Sequence, residues 1–246
     1  MAFKGGNILQ RSILKGEAKK LLTEHFFFFF LVFLPILLLE IVSYLSDPQE
    51  SLPNMSNWFW IGLAADIISG FLLDGVMLFA IDLFRAKAAF DSPFAKAFTI
   101  FSKAEYVIAD FLISLLSGFF IFCWMLLLIV PGLIKSLSYS QAFFIYRDQL
   151  DKGERISYLQ AITASRKLMD GHKAEYFVMS LSFIGWIFLF SIPLGIANVQ
   201  NAPLLLKIIC GLIAVVATVW FIAYYHLSFA NFYKTLAAEN SGETND

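Results

Sequence analysis

Long apolar runs alternate with short basic segments along the chain, and this pattern predicts the architecture. Six apolar stretches stand out, at about residues 26–45, 61–84, 106–130, 133–146, 176–195 and 204–224. About 20 helical residues cross the roughly 30 Å hydrocarbon layer of a bilayer, because each residue adds about 1.5 Å. The sequence therefore predicts an all-α integral membrane protein with six transmembrane helices. Residues 1–238 would form a single polytopic membrane domain, and the polar tail 239–246 is expected to be disordered.

The fourth stretch, residues 133–146, is short and polar for a membrane span. It contains Lys135, Ser138, Tyr139 and Gln141. Polar side chains at this depth have to contact protein or water rather than lipid. We therefore expect the span to face the interior of the bundle. The preceding Pro131-Gly132 pair predicts a tight turn that separates it from the third span.

An amphipathic segment precedes each pair of spans. Residues 8–25 have an apolar side and a basic side, which is typical of a helix lying at an anionic membrane surface or of a solvated extension of the first span. In residues 85–105, phenylalanines recur at helical spacing after Asp91-Ser92-Pro93, a helix-start pattern. A third helix is predicted at residues 154–169. We expect all three to be interfacial helices on the cytoplasmic side.

Repeated sequence features support three hairpin units. Lys-Ala-Glu-Tyr occurs at residues 103–106 and again at 173–176, and each hairpin ends with an aromatic residue followed by a basic one: Phe84-Arg85, Tyr146-Arg147 and Tyr233-Lys234. A recurring unit of this kind indicates an internal repeat. The predicted fold is thus three transmembrane hairpins, each preceded by an interfacial amphipathic helix.

The distribution of basic residues predicts the orientation. Of the 18 Lys and Arg residues, sixteen lie in residues 1–25, 85–105 and 147–175 and at Lys234, whereas segments 46–57 and 196–203 carry none. Basic loops stay on the cytoplasmic side of a membrane. We therefore expect a multi-pass protein of the cell membrane with both termini in the cytoplasm. The composition agrees, since 59% of residues are hydrophobic and 15% are charged, against roughly 25% charged in soluble domains.

Ionisable residues inside spans are costly and are candidates for function. Glu40, Asp66, Lys135 and Lys207 occupy similar depths near the outer ends of their spans. They either form structural ion pairs, or extend their charged ends to the outer interface, or line a polar cavity shared with Ser138, Tyr139 and Gln141. Asp74 lies near the middle of span two, where it is either a neutral, hydrogen-bonded acid or a proton- or cation-responsive site. Asp82 and Asp110 are expected to cap helices or to pair with Arg85 and Lys103.

A second candidate site is basic. Arg166, Lys167, His172 and Lys173 lie where the third amphipathic helix leads into span five. Such a cluster either binds anionic lipid headgroups or serves only as a topology signal.

No motif for nucleophilic or metal catalysis is present in the sequence. His-Glu-x-x-His, Gly-x-Ser-x-Gly and Walker patterns are absent. Cys123 and Cys210 lie in apolar runs, and the three histidines are far apart. We therefore expect neither enzyme activity, nor a cofactor or metal, nor binding to nucleic acid.

Several segments resemble one bacterial family. These are Pro131-Gly-Leu-Ile, Tyr139-Ser, Ser165-Arg-Lys-Leu-Met-Asp-Gly-His-Lys and Leu181-Ser-Phe-Ile-Gly-Trp186, and together they look like the membrane proteins catalogued as domain of unknown function 975. Ala223-Tyr224-Tyr225 departs from that family's late Pro-Tyr pattern. The family resembles more distantly the membrane region of some glycerophosphodiester phosphodiesterases. The resemblance implies a multi-pass protein of Gram-positive-type bacteria and no established activity.

Two functions remain open from the sequence. The first is a non-enzymatic protein of the bacterial envelope that organises or binds lipids, or a membrane protein partner, at the cytoplasmic leaflet. The second is a small transporter or channel for an ion or a lipid-like substrate, with a polar cavity near Asp74 and span four.

Overall fold

The structure is a computed structural model that describes residues 7–46, 57–197, 199 and 202–241. Within these ranges all regular elements are helical. The α-helices are α1 (Asn7–Glu24), α2 (Phe26–Ser46), α3 (Asn57–Phe84), α4 (Pro93–Ala97), α5 (Ala104–Leu127), α6 (Ile129–Tyr139), α7 (Ala142–Asp151), α8 (Tyr158–Leu168), α9 (Lys173–Ala197) and α10 (Leu204–Ser241), with a short 3-10 helix at Thr99–Ser102.

Five of these helices are long and apolar enough to cross a membrane. They are α2, α3, α5, α9 and α10. Many of their large apolar side chains are exposed, as expected where lipid replaces water around the bundle. The helical class and its apolar spans are therefore confirmed, whereas the described chain has five candidate spans and not the predicted six.

The predicted fourth span is divided into two short helices. Helix α6 ends at Tyr139 and α7 begins at Ala142, with a turn at Ser140 and Gln141 between them. At about 1.5 Å per residue, the 11 residues of α6 cover only about half of the hydrocarbon layer. The prediction of one helix from residue 133 to 146 is wrong because apolar character alone does not reveal where a helix breaks.

The turn between α5 and α6 lies before the Pro-Gly pair. Leu128 is the extended residue, with φ −160° and ψ 142°, and α6 starts at Ile129. Pro131 thus lies in the first turn of α6, where a missing N–H costs little. A Cβ on Gly132 would come within 2.4 Å of the Met125 side chain. The pair therefore supports close packing of the α5–α6 hairpin and does not break the helix.

The second amphipathic segment is only partly helical. Pro93 begins α4, as predicted, but α4 has five residues and is followed by the 3-10 helix. Ala97 and Ile100 are fully buried, and a Cβ on Gly75 of α3 would come within 2.3 Å of the Ala97 carbonyl oxygen. The segment therefore packs closely on α3. The phenylalanines that recur at helical spacing in this segment are exposed.

Helices adjacent in sequence pack against each other: α2 with α3, α5 with α6, and α9 with α10. Helix α1 also packs along α10, and its Leu14, Ala18 and Leu22 are buried there. Asn231 of α10 donates hydrogen bonds to the Leu14 carbonyl oxygen and to Glu17. Helix α1 is thus held by the bundle, and the interfacial position predicted for it stays a prediction.

Helix α10 continues to Ser241, so residues 239–241, predicted as part of the tail, are helical. The rest of the predicted tail, residues 242–246, lies outside the described residues. Most of the predicted outer loop at 46–57 also lies outside them.

Candidate functional site

The three aromatic-basic junctions of the sequence repeat meet at one end of the bundle. Arg85 follows α3, Arg147 belongs to α7, and Tyr233 and Lys234 belong to α10. Arg147 and Tyr233 are buried, and Arg85 is half-buried. In the sequence these residues mark the end of each hairpin. In the folded chain Arg85, Arg147 and Tyr233 belong to one ionic network with Asp82, Asp148 and Asp151, which we call the junction network.

Asp148 is the acceptor for two of the junctions. Arg85 donates two hydrogen bonds to its two carboxylate oxygens, each at 2.7 Å. The Tyr233 hydroxyl donates a third, also at 2.7 Å. Two-point contacts between guanidinium and carboxylate are among the stronger hydrogen-bonded pairs in proteins. Helices α3, α7 and α10 are thereby linked through one carboxylate.

Arg147 forms the other half of the junction network. It pairs with Asp82 of α3, and its Nε lies 2.8 Å from Asp151 Oδ2. The sequence-based pairing of Asp82 with Arg85 is therefore wrong. Arg147 is buried and needs a counter-charge, because an unpaired buried guanidinium is strongly destabilising. The carboxylates of Asp82 and Asp151 together supply that charge.

Asp151 also accepts hydrogen bonds from Lys103 and Tyr106 at the start of α5. Lys103 Nζ lies 2.6 Å from Asp151 Oδ1, and the Tyr106 hydroxyl donates to the same oxygen. Burial disfavours the charged form of Asp151, but these hydrogen bonds outweigh it and lower the pKa of the carboxyl. The predicted pairing of Lys103 with Asp110 is therefore wrong as well.

A cavity of about 740 Å³ opens beside the junction network; we call it the basic cavity. Its acids Asp82, Asp148 and Asp151 are matched by Arg85, Arg147 and Lys103. That balance leaves three further lysines in its lining: Lys87, Lys152 and Lys234. Their ammonium groups form no ion pair or hydrogen bond within the described part of the chain. The cavity therefore has three unmatched positive charges, which is the arrangement expected for an anion site.

Three residues of the predicted layer near the outer ends of the spans, Glu40, Asp66 and Lys135, form no ion pairs with one another. Glu40 accepts a hydrogen bond of 2.7 Å from Ser69, and Asp66 is exposed on α3. Lys135 lies over the Trp124 ring, with Nζ 4.8 Å from the ring centroid. Glu40 and Lys135 thus have separate partners on neighbouring helices.

Asp74 contacts a second acid. Its carboxyl group lies close to that of Asp110, so the pair joins α3 to α5 inside the bundle. Two carboxyl groups this close can form a hydrogen bond when one of them carries a proton. Asp110 is buried and Asp74 half-buried. This contact was missed because sequence spacing does not reveal which residues of α3 and α5 lie opposite each other.

The polar residues of the predicted fourth span face another helix. The Ser165 hydroxyl on α8 donates to the Ser138 carbonyl oxygen at 2.8 Å and accepts from the Gln141 backbone N–H at 3.1 Å. Ser138 and Gln141 are buried, and Tyr139 is half-buried against Phe120. Helix α8 therefore satisfies backbone groups freed by the break between α6 and α7, as a break within an apolar layer requires.

The predicted basic set at the start of α9 is only partly available to a ligand. Lys173 is 3.2 Å from Asp170, and His172 Nδ1 is 3.4 Å from Glu175. Arg166 and Lys167 are exposed in the last turn of α8. The three lysines of the basic cavity were missed as a site because they are scattered over 148 residues, from Lys87 to Lys234. The three aromatic-basic junctions were the one sequence signal that pointed to them.

The fold and the site define a helical membrane protein with a polar, positively charged cavity at one end of an apolar bundle. Residues 123–240 match the family described as "Protein of unknown function (DUF975)". This match confirms the resemblance to that family over the residues it covers, and it does not show the more distant resemblance to glycerophosphodiester phosphodiesterases. No curated protein and no solved structure matches the chain.

Proposed function

We propose that the protein is a non-enzymatic membrane protein that binds the phosphate group of anionic lipids in the basic cavity. The observation that carries the proposal is the convergence of Lys87, Lys152 and Lys234, which come from three separate segments and lack partners there. Each cation near an anionic membrane surface contributes about 1 kcal/mol to lipid binding. Three of them supply roughly 3 kcal/mol, or about 100-fold in affinity.

The junction network supports this function by holding the cavity open and charged. Arg85 and Arg147 are committed to Asp148, Asp82 and Asp151, so the network fixes the helix ends without using the three lysines. A site whose supporting groups are already paired binds a ligand without reorganising them. The lysines are then the residues that bind the headgroup.

The test compares two variants that each remove three positive charges. The first, Lys87→Gln/Lys152→Gln/Lys234→Gln, alters the basic cavity, and the second, Arg166→Gln/Lys167→Gln/Lys173→Gln, alters the predicted set at α8 and α9. Binding of short-chain phosphatidylglycerol to the detergent-solubilised protein is measured by calorimetry. We expect the first variant to lose roughly 100-fold in affinity and the second to stay near wild type. The opposite ranking would move the site to α8 and α9.

A parallel titration separates lipid headgroups from free phosphate. Inorganic phosphate should bind much more weakly than phosphatidylglycerol, because it lacks the membrane-anchored glycerol and acyl groups. Tighter binding of inorganic phosphate than of phosphatidylglycerol would identify the ligand as a soluble phosphate compound and would overturn the lipid proposal.

The proposal places the basic cavity and both termini at the cytoplasmic face of the cell membrane. Five long helices are compatible with this because α6 and α7 return the chain from the end of α5 to its start, where Asp151 of α7 contacts Lys103 and Tyr106. This orientation is supported by the distribution of Lys and Arg, because sixteen of these 18 residues lie on one side of the predicted topology and basic segments stay in the cytoplasm. In a variant without its two cysteines, Lys152→Cys should react with a membrane-impermeant maleimide only after the cells are permeabilised. Val199→Cys, on the other side, should react in intact cells. The reverse pattern would invert the orientation.

Transport of an ion or lipid-like substrate is a second candidate function, supported by the neighbouring acids Asp74 and Asp110 inside the bundle. Acidic residues within membrane spans form the proton relays of pumps and transporters. In proteoliposomes carrying a pH-sensitive dye, Asp74→Asn should abolish proton flux, and Asp66→Asn, an exposed acid on the same helix, should preserve it. Absence of flux in the wild-type protein would remove this candidate.

A further inference from the structure

A second, apolar cavity lies between α9 and α10, away from the basic cavity. It has a volume of about 600 Å³, and we call it the tail groove. Trp186 and Phe190 line it from α9, Leu212, Val216 and Trp220 line it from α10, and Lys19 of α1 contributes the one charged side chain of its lining. Its size is within the roughly 300–1,000 Å³ typical of ligand pockets.

One wall of the tail groove is aromatic. The ring centroids of Trp186 and Trp220 are 5.3 Å apart, and Phe190 lies 5.7 Å from Trp186 and 6.2 Å from Trp220. Aromatic rings at these separations support each other and keep their positions. The groove therefore has a fixed wall against which a flexible chain can lie, and both of its helices are candidate membrane spans.

Lys19 differs from the lysines next to it on α1. Lys15, one turn earlier, donates to the Ser182 hydroxyl at 2.8 Å and lies 4.4 Å from the Phe183 ring centroid. Lys20 pairs with Glu24 at 4.0 Å. The Lys19 ammonium group has no such partner within the described part of the chain and is exposed at the groove. An apolar groove is thus combined with one available positive charge.

We infer that the tail groove binds one acyl chain of an anionic phospholipid, whose phosphate lies beside Lys19. The apolar lining selects an acyl chain because the groove opens on the faces of two candidate spans, where lipid is the surrounding solvent. Lys19 selects an anionic headgroup, since one cation near a phosphate contributes about 1 kcal/mol, or about five-fold in affinity. This site uses none of the cavity lysines and therefore does not depend on the proposed headgroup site.

The two tryptophans of the wall provide the measurement. Trp58, Trp60 and Trp124 are exposed, so a variant with all three changed to Phe should keep its fold and leave only Trp186 and Trp220 as fluorophores. This protein is reconstituted into phosphatidylcholine vesicles that contain a small fraction of either phosphatidylglycerol or phosphatidylcholine with brominated acyl chains. Bromine quenches indole fluorescence only on contact. We expect brominated phosphatidylglycerol to compete for the groove about five-fold better than brominated phosphatidylcholine.

Substitutions then show which residue causes the preference for phosphatidylglycerol. Lys19→Gln should remove this preference, whereas Lys20→Gln, at a lysine paired with Glu24, should leave it unchanged. The cavity variant Lys87→Gln/Lys152→Gln/Lys234→Gln should also leave it unchanged, which separates this site from the basic cavity. Equal quenching by the two lipids before substitution, a preference that survives Lys19→Gln, or one that is lost with the cavity lysines would each overturn the proposal.

Discussion

The Tyr233 hydroxyl on α10 donates a 2.7 Å hydrogen bond to Asp148 on α7, although 85 residues separate them in sequence. Tyr233 is only 1% exposed, and its ring also packs on Phe144 of α7. Asp148 accepts two further hydrogen bonds from Arg85. This contact fixes α10 against α3 and α7, and it places the next residue, Lys234, in the lining of the basic cavity.

Replacement of Tyr233 by Phe should weaken this link without leaving a hole. We expect a loss of about 1–2 kcal/mol in the free energy of unfolding, because the buried hydrogen bond to a charged acceptor disappears while the ring remains. Thermal unfolding in detergent, followed by tryptophan fluorescence, measures the change.

Tyr225→Phe is the matched control for this variant. Tyr225 lies on the same helix and packs against Phe229, but its hydroxyl forms no hydrogen bond within the described part of the chain. Its replacement should change the unfolding temperature little. An equal effect of the two substitutions would show that the Asp148 contact contributes nothing specific.

Arg147 is expected to be the most sensitive residue of the junction network. Arg147→Met leaves Asp82 and Asp151 without their shared cation, and removal of one partner from a buried pair costs about 3–5 kcal/mol. The double variant Asp82→Leu/Arg147→Met should recover part of that loss, because it also removes the Asp82 carboxylate that the single substitution leaves unpaired. Thermal unfolding of the single and double variants measures the recovery.

The surface pair of Lys96 and Asp91 provides the comparison for the buried pair. Their side chains are 2.7 Å apart, but the Asp91 side chain is 66% exposed. Solvent screens exposed pairs, so Asp91→Asn should have almost no effect on the unfolding temperature. A large change in stability with Asp91→Asn, or no change with Arg147→Met, would contradict the view that burial determines how much each ion pair contributes to stability.

The sequence revealed the helices because membrane spans need long apolar runs, and five runs reappear as long helices. It did not reveal the break in residues 133–146. That break depends on Ser165 of α8, which supplies hydrogen bonds to the backbone at Ser138 and Gln141. Ser165 is 24 positions from Gln141 and 27 positions from Ser138. Contacts over such separations leave no local pattern in a single sequence, so the segment was predicted as one short span.

The candidate site was harder to predict than the fold for a related reason. Pairing Asp82 with Arg85 follows from their spacing of three residues, yet each has a partner on α7. Partners across helices depend on how the helix ends converge, which sequence spacing does not give. The repeated aromatic-basic junctions carried the information, because recurrence at the end of each hairpin places those residues at the same end of the bundle.

The stabilising effect of Asp151 should depend on pH in a definite direction. Its folded-state pKa is lowered, so its contribution is present above the unfolded-state value of about 3.9 and is lost as the pH falls through the folded-state pKa. Asp151→Asn should therefore cost roughly 0.5–1 kcal/mol at pH 7, after allowance for solvent screening. The difference from wild type should shrink as the pH falls below about 4. Unfolding temperatures of both proteins between pH 7 and pH 3 provide the test, and a constant difference would contradict it.

Gly75 and Gly70 lie on the same helix and should respond to Ala in opposite ways. A Cβ at Gly75 would approach the Ala97 carbonyl oxygen to 2.3 Å, whereas one at Gly70 would meet nothing within 4 Å. Gly75→Ala must push the α4 segment away from α3, at a cost of about 1–3 kcal/mol. Gly70→Ala should be neutral or stabilise α3 by up to about 1 kcal/mol, because Ala favours helix over Gly. Thermal unfolding of both variants distinguishes the close approach of α4 from a general effect of losing glycine, and equal shifts in the two would show that α4 does not pack at Gly75.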